Sequence, residues 1–568
     1  MYLKFALGEH FSFKVMGGYD TKDSKRDYYN PIVTYSGYKV GGSASITSSK
    51  SEMWINENTL DYFNEIGDHK ISALLGYTMQ GSTYEMLSAA AQGFSNDLLQ
   101  MNDLGSGLSP QSPSSAVSQW RLMSYIGRVN YGYKGKYLAT VTARADGSSR
   151  FGKNNRFGFF PSAAFAWRAN QEKFIHDLGL FSTLKFRLSW GVSGNQDGIG
   201  TYPGVATMAD VEYSFDGTKV PGMLISSASN DDLKWESTAQ SDLGIEVGFF
   251  KNRLLFITDL YIKNTSDLLL YVTIPASSGF TSALKNIGSI RNTGAEFTVK
   301  ATPIVGDFTW DIDFNIAFNH NEILDLGGQD QVIPSDAGPN ASNILIVGES
   351  LGTFYGYKTQ GTFDSWDEVR NSSQPNAQPG DVRFVNKEGT SDIINEDDRF
   401  IIGNAQPIFF GGFSNNFSYK NFDLNMFFRY SYGNDLYNLN TFTLQDLTGK
   451  RNNTTAVLDR WTPENLYTDI PRASSTKTTS IATDREVEDA SYLRLKSIQL
   501  GYNWTTEKWS KYFTSAYIYL SGENLLTFTN YSGYDPEVSS YGSNVKMGYD
   551  SSMYPSAKTV RLGVNLSF

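Results

Sequence analysis

One hairpin, from Tyr137 to Arg168, constrains the fold more than any other stretch of this sequence. Its first half alternates small or apolar residues with polar ones. After a polar turn at Asp146–Arg150, the alternation resumes with aromatic residues on one side. Because successive side chains of a strand point to opposite faces, one face is apolar and the other is polar or small. A soluble sheet buries its apolar face, whereas a membrane barrel turns it to lipid.

The same alternation recurs along the chain, most clearly between Phe308 and Phe318. Aromatic residues and isoleucines occupy one side of this strand, while Asp311 and Asp313 lie on the other. Two carboxylates on one face would be costly inside a dry sandwich, but they cost little in a water-filled lumen. No run approaches the roughly 18 apolar residues that a spanning helix needs, which excludes the helical membrane proteins.

Short turns alternate with long connections along the chain, and this alternation in loop length favours a barrel. We expect long extracellular loops at about residues 83–118, 197–233, 322–405, 435–489 and 529–556. Short turns at one rim and long loops at the other are typical of outer-membrane barrels. The pattern predicts roughly 17 strands, whereas bacterial barrels have even strand numbers. We therefore expect the sequence to start partway round a larger barrel.

Composition excludes several kinds of chemistry. The chain has no Cys and only four His, so thiolate metal sites and Cys nucleophiles are excluded and His-based catalysis has little room. The net charge of −11 argues against a nucleic-acid-binding surface. The segment Gly348–Gly352 matches G-x-S-x-G, but no helical pattern follows it, so we expect no catalytic residue and no enzyme. The first residues lack a basic stretch followed by an apolar one, so we expect no export signal there.

Motifs spread over nearly the whole chain resemble one family. The hairpin contains RADGSSRFGKNNRFGFFPSAAFAWR, and the chain ends in YPSAKTVRLGVNLSF. The motif WINENTLDYFNEIGDHKISALLGY (Trp54–Tyr77) precedes the hairpin. Between the hairpin and the chain end lie GTFYGYKTQGTF (Gly352–Phe363), GDVRFVNKEG (Gly380–Gly389), SYLRLKSIQLGYN (Ser491–Asn503) and SGENLLTFTNYSGYDPE (Ser521–Glu537). In their order along the chain, these motifs resemble the SusC/RagA family of TonB-linked outer-membrane transporters.

The resemblance implies an all-β fold, a transmembrane antiparallel β-barrel of the bacterial outer membrane. The complete protein would have an N-terminal plug and a barrel of about 22 strands. Residues 1–568 would be the C-terminal barrel portion, with no plug domain.

The resemblance also implies partners and a substrate class. A SusD-like surface lipoprotein would cap the barrel, and the TonB complex would act through the plug. The substrate would be an oligosaccharide or a peptide. The charged residues of the polar strand faces could contact the plug or the solute; they are Arg144, Arg187, Asp311, Asp313 and Arg429.

Two alternatives stay open at this point. The chain could close alone as a passive, porin-like channel of roughly 16 to 18 strands. It could also be a truncated fragment without function.

Aromatic residues in the long connections are the candidate substrate-binding residues. Their flat faces, with polar neighbours, suit sugars, which present apolar ring faces edged by hydroxyls. For any single residue, the alternative is loop packing or the interfacial aromatic girdle that barrels need. The candidates are Tyr355, Tyr357, Trp366, Tyr437, Phe442, Tyr531, Tyr534 and Tyr541.

Two further sites are predicted by the resemblance. Many family members carry a calcium-type loop at the position of residues 386–397, although here Ser391 replaces the glycine of that pattern. Its possible Ca²⁺ ligands are Asn386, Glu388, Asp392 and Asp397, and no other cofactor is expected. The terminal Phe568 looks like the signal that barrel-assembly machinery recognises; alternatively it is the last lipid-facing residue.

Overall fold

The computed structural model describes residues 1–197, 199–280, 282–333, 343–387, 392–445, 447, 452–475, 481–504 and 513–568. As predicted, the fold over these residues is all-β, and its main element is a large antiparallel sheet in which 17 strands are described. In chain order they are β1 Tyr2–Leu7, β2 Phe11–Asn30, β3 Ser43–Ile66, β4 His69–Gln92, β5 Ser114–Tyr133, β6 Tyr137–Ser148, β7 Phe157–Arg168, β8 Thr183–Asn195, β9 Glu236–Phe249, β10 Leu254–Ser266, β11 Ser289–Ile304, β12 Phe308–Asp325, β13 Phe409–Tyr419, β14 Phe422–Tyr432, β15 Tyr492–Trp504, β16 Ser515–Thr529 and β17 Thr559–Ser567.

Shorter elements occupy the connections. The short strands are Ser109–Pro110, Met208–Phe215, Thr218–Ile225, Leu269–Thr273, Ser282–Asn286, Gln331–Val332, Leu345–Ile346, Thr353–Gly356, Thr359–Thr362, Val382–Phe384, Phe400–Asn404, Asp435–Asn438, Val487–Asp489 and Tyr549–Asp550. The α-helices are Tyr35–Tyr38, Lys173–His176, Trp366–Arg370 and Leu439–Leu444. Single turns of 3₁₀-helix are Gln100–Asn102, Leu104–Ser106, Ala169–Gln171, Ala276–Ser278, Glu396–Asp398, Thr455–Asp459 and Asp484–Glu486. Within the described ranges, no helix has the length and apolarity to cross a membrane.

One compact unit contains residues 1–166, 189–239 and 267–286. In it, β1 to β6 pair with their sequence neighbours in antiparallel order. A small aromatic core forms where Trp235 contacts Phe151, with 4.6 Å between ring centroids. The Trp235 indole Nε1–H donates to the Arg156 carbonyl at 3.0 Å, so its polar atom is satisfied although the ring is buried.

The long connection expected at residues 83–118 is shorter than predicted. Strand β4 continues to Gln92 and β5 begins at Ser114, which leaves residues 93–113 between them. The residues of these strands that fall within 83–118 are rich in serine and alanine, as in the segment Leu87–Ala91. Because both faces of such a segment are small or polar, no apolar alternation marks it as a strand.

The second unit contains residues 167–188, 240–266 and 287–568. Here β10 to β17 again pair in antiparallel order. On the polar faces, charged groups meet their opposites: Arg187 donates to Asp259 at 2.8 Å, and Lys300 lies 3.4 Å from Asp313. These pairs account for the mixed charges that the sequence places on one face of each strand.

The alternation of apolar and polar residues also holds in the final strand. Val560, Leu562 and Val564 are 68%, 76% and 55% exposed, and they share one face of β17. On the opposite face, Arg561 pairs with Glu523 of β16 at 2.8 Å. The Phe568 side chain is exposed beyond the end of the strand, and its role in barrel assembly stays a prediction.

A buried ion cluster ties the connection after β16 to β15. The Arg494 guanidinium, 3% exposed, donates to Asp535 at 2.6 Å and also pairs with Glu537. Tyr492 donates to Glu537 at 2.7 Å. Burial alone would raise the pKa of Asp535, but the hydrogen bonds from Arg494 and Ser556 hold that pKa at about 2. The carboxylate therefore stays ionised inside the fold.

We expect Arg494→Ala to loosen the connection 530–558, because it leaves two partly or fully buried carboxylates without their main partner. Breaking a buried pair in this way costs about 3–5 kcal/mol. Urea unfolding and limited proteolysis within 530–558 measure the effect. The control is Arg561→Ala, whose ion pair is solvent-exposed and should cost less than about 1 kcal/mol. Equal protease resistance of the two variants would contradict this role for Arg494.

Candidate functional site

The candidate site is a cavity of about 490 Å³ within the connections of the second unit. Aromatic side chains, amides and charged groups all face it. The lining residues that bear on recognition are Tyr357, Asn376, Asp381, Phe384, Phe442, Gln445, Arg472, Arg485 and Glu486. A cavity of this size, with apolar surface and a few convergent polar groups, is the usual form of a small-molecule site.

Short strands hold one wall of this cavity in place. Thr359–Thr362 pairs with Val382–Phe384, so that Thr359 lies opposite Phe384. The Gln374 side chain extends this pairing, since its Oε1 accepts from the Phe384 amide at 2.7 Å and its Nε2 donates to the Val382 carbonyl at 3.0 Å. Phe384 is thereby fixed, and the Tyr357 ring packs against it at 5.3 Å.

A tight turn brings Asp381 to the cavity. Gly380 has φ of +85°, which favours glycine, and a Cβ there would lie 2.5 Å from the Trp461 ring. The next residue, Asp381, accepts from Arg472 Nε at 2.9 Å. This ion pair is mostly buried, with 23% of the Arg472 side chain and 18% of the Asp381 side chain exposed.

The other charged groups of the cavity also have partners within the protein. Arg485 donates to the backbone carbonyl of Asp469. Glu486 is buried and accepts from the Thr483 hydroxyl at 2.5 Å and from the Tyr437 hydroxyl at 3.3 Å. Burial raises the pKa of Glu486 above its ordinary value, because the charged form loses its hydration. The wall near Glu486 is therefore less negative than its composition indicates.

The predicted aromatic residues fall into three groups. Tyr357 and Phe442 line the cavity together. Tyr437 and Tyr531 are buried instead: Tyr437 packs on Phe354, and Tyr531 donates to Asp550 at 2.8 Å. These two are packing residues in this structure, because neither side chain reaches solvent.

The remaining predicted aromatics lie outside the lining of this cavity. Trp366 and Tyr534 are exposed, at 54% and 81%. Tyr541 packs edge-on against Tyr549 at 5.4 Å, and Tyr355 is half-buried on the strand Thr353–Gly356. The sequence could not separate these roles, since all of them are aromatics in long polar segments.

The predicted calcium segment is only partly described, because Glu388 lies outside the described residues. Asn386 donates its amide to the Ser373 hydroxyl at 2.7 Å, and Asp392 and Asp397 are exposed. Across the described ranges, no group of three or more acidic or histidine side chains could hold a metal. Calcium binding stays a prediction.

The adjacent Asp398, which sequence reasoning did not single out, organises this segment. It is fully buried, and its two carboxylate oxygens accept from the backbone amides of Lys387 and Asn395, each at 2.8 Å. Its oxygens are thus occupied in holding the turn.

Sequence reasoning also missed Asp381, Phe384, Arg472 and Glu486. The first two stand in the motif GDVRFVNKEG, which was recognised as a family signature but not as part of a cavity. Arg472 and Glu486 carry no local signal, because they meet the cavity only through contacts with residues distant in sequence.

We expect Glu486→Gln to stabilise the fold more at high pH than at low pH. A carboxyl whose pKa is raised by folding contributes stability below its unfolded pKa and loses that contribution as the pH rises through the folded value. Glutamine keeps the hydrogen bonds and never ionises. Thermal unfolding at about pH 4 and about pH 8 should therefore show a larger gain in Tm at the higher pH. The exposed Glu464→Gln is the control; a matching pH-dependent gain in that variant would argue against burial as the cause.

Comparisons with known proteins agree on one family. The family model described as TonB dependent receptor-like, beta-barrel, matches residues 2–369. TonB-dependent receptor P3 of Formosa agariphila is 36% identical over 581 residues, which cover 100% of this chain and 57% of that protein. TonB-dependent receptor SusC of Bacteroides thetaiotaomicron is 34% identical over 467 residues, which cover 79% of this chain and 44% of that protein.

Solved structures agree. The RagAB peptide transporter matches with a TM-score of 0.83 and 27% identity, over 100% of this chain and 61% of that one. The chain thus matches between 44% and 61% of the length of these relatives. It belongs to the TonB-dependent receptor β-barrel family of the bacterial outer membrane, among the members that resemble SusC and RagA.

Proposed function

We propose that this chain forms the barrel wall and long extracellular loops of a SusC-like, TonB-dependent importer. The importer moves oligosaccharides across the outer membrane, acts with a SusD-like surface lipoprotein and is driven by TonB through a plug domain. Membership of the TonB-dependent receptor family supports the transport role. The lining of the loop cavity supports the choice of solute, and the solute binds in this cavity.

One observation carries the choice of a neutral, sugar-like solute. Three aromatic rings and three side-chain amides line the cavity. Of its four charged side chains, Arg472 is paired with Asp381, Glu486 is buried with a raised pKa, and Arg485 donates to a backbone carbonyl. A ligand therefore meets mainly flat apolar faces and neutral hydrogen-bonding groups, which match the ring faces and hydroxyls of a saccharide.

A peptide is the second candidate. The observation that favours it is the similarity to the RagAB peptide transporter, at 27% identity and a TM-score of 0.83. The paired Arg472 and Asp381 could open to receive the termini or charged side chains of a peptide, at the cost of breaking a mostly buried ion pair. This cost is the physical reason to place the saccharide first.

Energised transport distinguishes an importer from a passive channel. The test uses the full-length protein with its lipoprotein partner, and compares uptake in cells with and without TonB. Loss of uptake without TonB supports the importer, whereas unchanged uptake indicates a passive channel.

We expect Phe442→Ala to weaken solute binding roughly tenfold, because an aromatic face contributes on the order of 1 kcal/mol or more beyond its buried area. Trp366→Ala, which removes an exposed aromatic outside the cavity, should bind like the wild type. Calorimetric titration of the full-length protein, first with a panel of neutral oligosaccharides and then with mixed peptides, measures both variants.

The two panels separate the candidates. Binding of a saccharide that is weakened only by Phe442→Ala supports the proposal. Binding of peptides alone would replace the saccharide with the second candidate. Equal weakening by both substitutions would remove the solute from this cavity.

A further inference from the structure

A second concavity, of about 1010 Å³, lies on the second unit and is separate from the proposed solute cavity. Its floor is formed by Thr293 and Ala295 of β11, and its sides include Leu260 of β10 and Phe318 of β12. None of these residues lines the loop cavity. Most of its surface is apolar, so its ligand differs in kind from a sugar.

The strand register places this groove on the apolar face of the sheet. Ala295 lies directly opposite Leu260 on one side and Phe318 on the other. Directly opposed residues of antiparallel strands project to the same face. The intervening Tyr261 projects to the other face, where its hydroxyl donates to Asn319 at 2.9 Å. The groove therefore belongs to the face that the family turns to lipid.

The depth of the groove comes from small side chains between large ones. On β11 the groove is lined by the short side chains of Thr293 and Ala295. The longer side chains of Leu260, Ile262 and Phe318 flank them. The pairing of β12 with β13 ends at Ala317 opposite Phe410, so the strands separate just where the groove begins. The result is a concave, mostly apolar surface.

The height of the groove places it in the outer leaflet. Phe318 stands ten residues along β12 from Phe308, next to a short turn at residues 305–307. With a rise of about 3.3 Å per residue and a tilt of about 40°, this is roughly 25 Å, the height of the apolar band of such barrels. The long connection 326–408 follows at the far end, which is the extracellular end in this family.

One end of the groove is polar. His320 lies opposite Thr293, two residues beyond Phe318 toward the long connection. This end is also lined by Glu349, Ser350, Asn404 and Gln406 from that connection. The groove thus has an apolar part at the level of lipid chains and a polar part at the level of headgroups.

We propose that this groove binds an acyl chain of lipopolysaccharide, the glycolipid of the outer leaflet, with its sugar end at His320, Ser350 and Gln406. Three observations carry the proposal: the groove continues the lipid-facing surface, it lies at outer-leaflet height, and its polar end is the extracellular one. Because the bilayer is itself apolar, the chain is held by close van der Waals contact in a concave site rather than by removal from water.

The test compares two matched substitutions in the full-length protein. Ala295→Trp fills the floor of the groove. Ala301→Trp places the same side chain on the same strand and face, outside the groove. Native mass spectrometry of protein stripped of lipid and then titrated with lipid A, and separately with phosphatidylethanolamine, measures binding. Heat-modifiable gel migration shows that each variant is folded, and Thr293→Trp replaces Ala295→Trp if the latter does not fold.

We expect lipid A to bind the wild type and Ala301→Trp alike, and to bind Ala295→Trp roughly tenfold more weakly, because many small contacts are lost together. Unchanged binding to Ala295→Trp, or equal loss in both variants, would overturn the proposal. So would equal affinity for phosphatidylethanolamine, or a dimer that only Ala295→Trp abolishes. None of these results depends on the solute cavity, so this proposal and the proposed function fail separately.

Discussion

The two-residue period of the β-strand is the constraint on which this structure depends. In a bilayer every backbone amide and carbonyl must be hydrogen-bonded inside the protein, which leaves paired strands as one of two solutions. Once the strands are paired, alternate residues along each strand point to opposite faces of the sheet. A residue's odd or even position therefore decides whether its side chain lies on the apolar or the polar face. The exposed Leu562 and the ion-paired Arg561 are neighbours in sequence and face opposite environments.

A sheet used in this way has no apolar layer to pack against, so the long connections build their own cores. Phe354, Tyr437 and Tyr549 pack together at 5.7 to 5.9 Å, although they are far apart in sequence. The short strand Asp435–Asn438 joins them, since it pairs with Val487–Asp489 on one side and with Tyr549–Asp550 on the other. The aromatics of such loops are therefore used in two ways: some pack in these cores and others line the cavity.

This double use explains what the sequence could and could not predict. The strand count and the parity of residues such as Val560 follow from local alternation, so they were predictable from neighbours alone. Tyr437 and Phe442 stand in the same loop and look equivalent in sequence, yet one is buried and the other lines the cavity. Tyr437 packs on Tyr549, and Phe442 lines the same cavity as Arg472; both of these residues are distant in sequence, and no local pattern carries that information.

Long-range contacts of the same kind connect the sheet to the loop cavity. Arg494 on β15 holds Asp535 in the final connection, which also carries Tyr531 and its partner Asp550. The residue before Asp550 is Tyr549, which packs on Tyr437, and the Tyr437 hydroxyl reaches Glu486 at the cavity wall. The contacts in this series are buried, and the first is an ion pair, whose directed hydrogen bonds constrain geometry more than apolar packing does. A charged anchor at the sheet thus holds a long connection whose contacts extend to the wall of an open cavity.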